Sequence, residues 1–265
     1  MARFSPAFAG FQTGLVSPRL DGRTDLQKYF SSCSTLENFL VHPTGGVTRR
    51  PGTRHVAEVK TSSAKTRLIP FQFGVEDTYI LEFGNNYIRF YRNNGQIVSG
   101  SPSAAYEIST SYTTAQLPAL KFAQTGDVMY IVHPEHEISK LSRTAHTSWT
   151  LTEVTLTDGA YLSQNTTTTT MTSSHTTGSS RTLTVSATAG VNGGDGLQST
   201  DVGRLVTFLA GYAQITAVAS TTSATITILE DFSGTGTSTE WSLGVFSDTT
   251  GHPRAVAFFE ERLVF

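Results

Sequence analysis

A chain of 265 residues has room for one or two domains and at least one sizeable core. Only 15% of it is charged, below the ~25% usual for a soluble domain, while glycines number 23 and threonine and serine crowd the second half, so the composition favours an extended, β-rich protein over a helical one. The net charge of -2, the absence of any apolar run near the ~20 residues of a bilayer span, the lack of an apolar leader core in Met1–Gly10 and the single Cys33 argue against a membrane protein, a secreted enzyme, an intrachain disulfide and a multi-cysteine zinc site.

The charge is uneven. Residues 1–150 carry 15 Lys and Arg against 11 Asp and Glu, and residues 151–265 carry 4 against 10. Neither half is basic enough to wrap nucleic acid electrostatically.

Residues 1–54 read as an arm, a helix and an arginine loop. The arm holds Phe4, Phe8 and Phe11 between the breakers Pro6, Gly10, Gly14 and Pro18, and needs a surface to order on. Thr24 or Asp25 caps a helix, with Gln27 three residues after Thr24. Leu26, Tyr29, Phe30, Cys33, Leu36 and Leu40 recur at helical spacing, which makes Cys33 a small buried hydrophobe. Pro43-Thr-Gly-Gly46 breaks the chain. Arg49, Arg50 and Arg54 then sit around Pro51 and Gly52, either as a solvated turn or as forks for a carboxylate or phosphate on a partner.

Residues 55–157 read as strand after strand. Arg67–Phe73, Thr78–Phe83, Tyr87–Tyr91 and Gln96–Val98 are separated by turns at 84–86 and 93–95. A second round runs through 120–124, 128–132, 138–141 and 149–154. The loose repeat predicts the blades of a propeller-like antiparallel β body. Residues 158–249 differ. Asn165 precedes five threonines, a tract suited to a solvated β segment or to disorder. Alternating segments at 182–186, 203–208, 213–218, 223–228 and 241–246 predict a small inserted β-barrel or sandwich. Residues 250–265 return to the style of the body, with Glu260 and Glu261 as strand residues on opposite faces. The chain stops on an apolar residue, so it reads as part of a longer polypeptide.

No phosphate loop, dinucleotide fingerprint, nucleophile elbow, zincin motif or EF-hand occurs, so no cofactor and no enzymatic activity are expected. His133-Pro-Glu-His136 is the one ligand-like cluster, and it reads better as a surface turn. Asn165-Thr-Thr167 matches a glycosylation sequon without a secretory context.

Pro18-Arg-Leu-Asp21, Asp25–Tyr29, Cys33, Asn38-Phe39 and above all Pro43–Arg54 resemble the start of tail tubular protein B, the tail nozzle group of short-tailed bacteriophages. Leu68–Phe71, Tyr87–Phe90, Leu120–Gln124, Ile131–Pro134, Trp149–Leu151 and Gly251–Leu263 extend the likeness over 1–157 and 250–265. The resemblance implies a homohexameric ring below a tail adaptor ring, with tail fibres as further neighbours. Double-stranded DNA passes through such a ring during ejection without specific binding. It also implies a virion protein, assembled in the bacterial host cytoplasm, with chains longer than this one and no catalytic residues. On this reading Phe4, Phe8, Phe11, Arg19, Arg49, Arg50 and Arg54 are the candidate subunit and adaptor contacts. The alternative is a host-surface glycan-binding β module, with Trp241 as the sugar platform. A glycosidase would need two carboxyl groups ~5–9.5 Å apart in one pocket.

Overall fold

The computed structural model describes residues 7–100 and 102–265. It is mainly β, with a sheet that curls into half a barrel. The longest helical element among the described residues spans five. Two compact units meet in sequence between His55 and Val56.

The first unit is built of short pieces. Gly14–Leu15 pairs in parallel with Ser32–Cys33, and Phe39–Val41 pairs antiparallel with Val47–Arg49. The helix expected after Thr24 is replaced by a single 3-10 turn, Gln27–Ser31. Serine hydroxyls account for the stop. Ser31 Oγ donates to the Lys28 carbonyl at 3.2 Å and Ser32 Oγ to that of Tyr29 at 2.6 Å, taking acceptors an α-helix would use. Cys33 is accordingly half-buried on a strand, and Leu40 is exposed on a hairpin. Among residues 7–55 only Gly10 and Gly45 are buried, so the described residues of the unit include no buried side chain.

The second unit begins with two antiparallel sheets. Strands β1 (Arg67–Gln72), β2 (Thr78–Gly84), β3 (Tyr87–Arg92) and β4 (Glu107–Ser109) lie in the order β4-β3-β2-β1, with Gly95–Gln96 added beside β3. Strands β5 (Lys121–Thr125), β6 (Val128–His133), β7 (His136–Ala145) and β8 (Ser148–Glu153) form a meander in sequence order. Alternation sets the inward face: Ile69 and Phe71 on β1 sit opposite Leu81 and Tyr79 on β2, all four buried. The turns follow from asparagine, with Asn86 at φ 63° and Asn93 and Asn94 at 52° and 58°.

The two sheets share one core. The Trp149 ring on β8 stacks on Phe90 at 4.5 Å and meets Phe71 edge-on at 4.8 Å. Polar ties close the edges. Gln124 accepts from Gln72 N–H at 3.1 Å and donates to its carbonyl at 2.8 Å. Arg67 Nη1 donates to the carbonyls of Leu117 and Leu120, both at 2.8 Å.

A six-stranded sheet follows, with a separate core. Strands β9 (Met171–Ser173), β10 (Arg181–Val185), β11 (Leu205–Phe208), β12 (Gly211–Ser220), β13 (Ser223–Glu230) and β14 (Trp241–Leu243) run in the order β9-β10-β13-β12-β11-β14. Leu183, Val185, Val206, Phe208, Ile215, Ile226 and Trp241 fill its interior. The entering and leaving segments pair with each other, Leu162 N–H to the Leu243 carbonyl at 2.8 Å and Val245 N–H to that of Ala160 at 2.9 Å. The threonine run is ordered by Asn165. Its amide donates to the carbonyls of Thr167, Thr169 and Thr239 at 3.0–3.2 Å, which occupies the nitrogen a glycan would need.

The last hairpin, β15 (Ala257–Phe259) with β16 (Arg262–Val264), departs from expectation at its tip. Glu260 and Glu261 are its turn residues, at φ 46° and 63°, and not strand residues on opposite faces.

Candidate functional site

The residues expected to meet other subunits fall in the first unit, apart from Phe4, which lies outside the described residues. Phe8 is 62% exposed, with its ring 6.2 Å from Phe30. Phe11 is exposed too, and its N–H donates to the Gly45 carbonyl at 2.9 Å, which fastens the arm to the hairpin turn. Arg19 is exposed in the 3-10 turn Pro18–Leu20, with Ser17 Oγ accepting from its backbone N–H. Arg49 ends the hairpin opposite Phe39, and Arg50 follows with Nε 3.4 Å from Asn38 Oδ1. Arg54 is exposed in the extended stretch after Pro51.

None of Arg19, Arg49, Arg50 and Arg54 forms an ion pair among the described residues. The hairpin therefore presents Arg49 and Arg50 beside the exposed Phe39 and Leu40. Sequence reading missed those two apolar residues as surface. The signal was available: Pro43–Gly46 is a turn between short β-prone runs.

The ligand-like cluster 133–136 is the tight turn between β6 and β7. His133 Nδ1 accepts from Glu135 N–H at 3.1 Å, which removes that nitrogen as a ligand. Burial, reinforced by His136, pushes the His133 pKa down, and burial does the same to His136. No group of three or more His, Cys, Asp or Glu among the described residues is placed to hold a metal ion.

Beside this turn lies a cavity of about 160 Å³, lined by Glu137 and Glu153 on one side and by Gly203, Gln214, Gly244 and His252 on the other. Burial and the neighbouring Glu153 push the Glu137 pKa above the usual carboxylate range. His252 Nε2 lies 3.0 Å from Asp248 Oδ1, and the backbone N–H of His252 donates to the Pro134 carbonyl at 2.9 Å. Gly203 has φ +90°, and a Cβ there would meet Glu137 Oε1 at 2.9 Å.

In the six-stranded module the buried Arg204 and Asp201 are partnered within the fold, except that Arg204 Nη2 has no hydrogen-bond partner. Arg204 and Asp201 are both fully buried and paired at 2.8 Å, and Arg204 also donates to Asn192 Oδ1 and to the Gly244 carbonyl, both at 2.7 Å. This network holds loops together. Trp241 is 3% exposed and donates its indole N–H to the Thr169 carbonyl at 3.1 Å, so it is a core residue and offers no sugar platform. Compared with known proteins, the chain matches no family model and no curated sequence.

Proposed function

We propose that the chain is a structural subunit of a bacteriophage tail nozzle, one sixth of a ring that DNA crosses during ejection. The observation that carries this reading is the first unit. It has 49 described residues and no buried side chain among them, yet exposes Phe8, Phe11, Phe39 and Leu40 together with Arg49, Arg50 and Arg54, none of which forms an ion pair among the described residues. A segment that buries nothing of its own must gain its order from a surface outside itself. Repeated head-to-tail around a ring, such a contact is heterologous and closes on itself. The resemblance of Pro43–Arg54 to the nozzle group points to the same use.

On this reading the two sheets of the second unit are blades of a propeller-like body, packed face to face through Trp149. The partners are further copies, an adaptor ring and tail fibres. DNA slides past without specific contacts, and the protein resides in the virion after assembly in the host cytoplasm. The function is scaffolding and not catalysis.

The test is the mass in solution of the purified protein, alone and mixed with its adaptor ring. A hexamer, or a monomer that becomes a sixfold ring on the adaptor, is the expected result. A stable monomer that ignores the adaptor overturns the proposal.

A further inference from the structure

At one end of the two-sheet body four side chains link in series. They come from the ends of β2, β3 and β7 and the turn after β7. Arg92 Nη1 lies 3.0 Å from His146 Nε2. His146 Nδ1 lies 2.6 Å from the Tyr79 hydroxyl, and Arg143 Nη1 donates to that hydroxyl at 3.2 Å.

Donor counting places each proton. A guanidinium can only donate. His146 Nε2 therefore accepts from Arg92, and the neutral ring carries its proton on Nδ1. That N–H donates to Tyr79, whose oxygen already accepts from Arg143. The phenol oxygen receives two hydrogen bonds, and its own O–H remains a donor that neither His146 nor Arg143 can accept. Tyr79 is 1% exposed, so a missing acceptor there is costly.

One more donor stands idle at the same place. Arg92 Nε is shielded from water and has no partner. Arg143, its side chain 9% exposed, stacks over Phe73 at 4.0 Å and spends Nε on Asp127 at 3.1 Å. Both guanidinium carbons lie near one ring, 6.0 and 5.5 Å from the Tyr79 centroid. The donors are held in place before any ligand arrives.

The surplus is all donor, so the missing partner is an oxygen acceptor. Asp77 pairs with Arg92 and Asp127 with Arg143, and the four charges cancel. A dianion would face two nearby carboxylates, whereas a monoanion adds a single charge to a neutral site. We propose that this end of the body, built on Tyr79, Arg92, Arg143 and His146, binds a carboxylate group. The carboxylate comes either from a small free acid or from an acidic side chain of a protein partner. The inference stands independently of the nozzle reading, because its residues lie outside the first unit.

The side-chain Nε–H signals of Arg92 and Arg143, followed by NMR in the full chain, test it. Titration with sodium acetate is expected to shift both signals to saturation, where sodium chloride at equal ionic strength does not, and sodium sulfate is expected to act more weakly. Tyr79→Phe keeps the buried ring and removes only the O–H, and it is expected to weaken acetate about tenfold. Arg143→Lys, which loses the fork, is expected to do the same. A capped glutamate peptide that saturates below the acetate concentration assigns the site to a protein partner; acetate binding without peptide binding assigns it to a free acid. Shifts that only follow ionic strength, or that are unchanged in Tyr79→Phe, overturn the proposal.

Discussion

Single side chains decide how the outer face of the first sheet is closed. Glu82 is fully buried, and the hydroxyls of Tyr87, at 2.5 Å, and Tyr91 donate to it. Burial, then the bond to Glu82, pushes the Tyr91 phenol up to about 12 and that of Tyr87 higher still. Gly84 makes the arrangement possible, since a Cβ there would lie 2.2 Å from the Tyr87 ring. Gly84→Ala is expected to displace that ring and cost about 1–3 kcal/mol, read from the urea midpoint of unfolding.

The same scale holds a pH effect. The Glu137 pKa is raised in the folded state, so the folded protein binds this proton more tightly than the unfolded chain. Its stabilisation is complete below the ordinary glutamate range and is lost as pH rises through the raised value. His133 and His136 act with the opposite sign. Their depressed pKa values make stability fall as pH drops from the ordinary histidine value toward the lowered ones. Glu137→Gln, compared with the parent across pH 4–8, is expected to flatten only the Glu137 contribution (pH range about that of ordinary Glu and His titration). A melting temperature whose pH dependence matches the parent throughout counts against it.

At the scale of elements, turn chemistry does most of the work. Asn93-Asn94 adopts the left-handed conformations a two-residue hairpin requires. Glu260-Glu261 adopts them too, with residues poorly suited to positive φ. Glu261→Gly is therefore expected to stabilise the last hairpin by about 1 kcal/mol, visible as slower amide exchange across β15 and β16. The strands of the second unit were legible because their alternation has period two and their turns carry Asn and Gly. The helix after Thr24 was misread for a physical reason. The 3.6-residue spacing of Leu26, Tyr29, Phe30 and Cys33 is present, but Ser31 and Ser32 divert the carbonyls of Lys28 and Tyr29. Glu260-Glu261 was misread because neither residue announces a turn.

For the whole molecule, the division at His55 separates a body with its own cores from a segment whose described residues form none. Exposed, unpaired arginines contribute little to the stability of their own chain. Reversing Arg49, Arg50 and Arg54 to Glu together is expected to leave the melting temperature unchanged while abolishing ring formation, as measured by mass in solution. Intact rings from that variant would remove the arginines from the proposed contact.

Sequence alone determined the β class, most strand positions of the body and the module, and the arginine loop, because these depend on local periodicity, turn residues and charge. Tertiary structure alone decided the rest. It buried Trp241, set Glu137 and Glu153 in the lining of one cavity, and joined Tyr79 to Arg92, Arg143 and His146 across 67 positions of chain. Such contacts depend on how sheets stack and on which donors then lack acceptors, and neither is written in the spacing of residues along one strand.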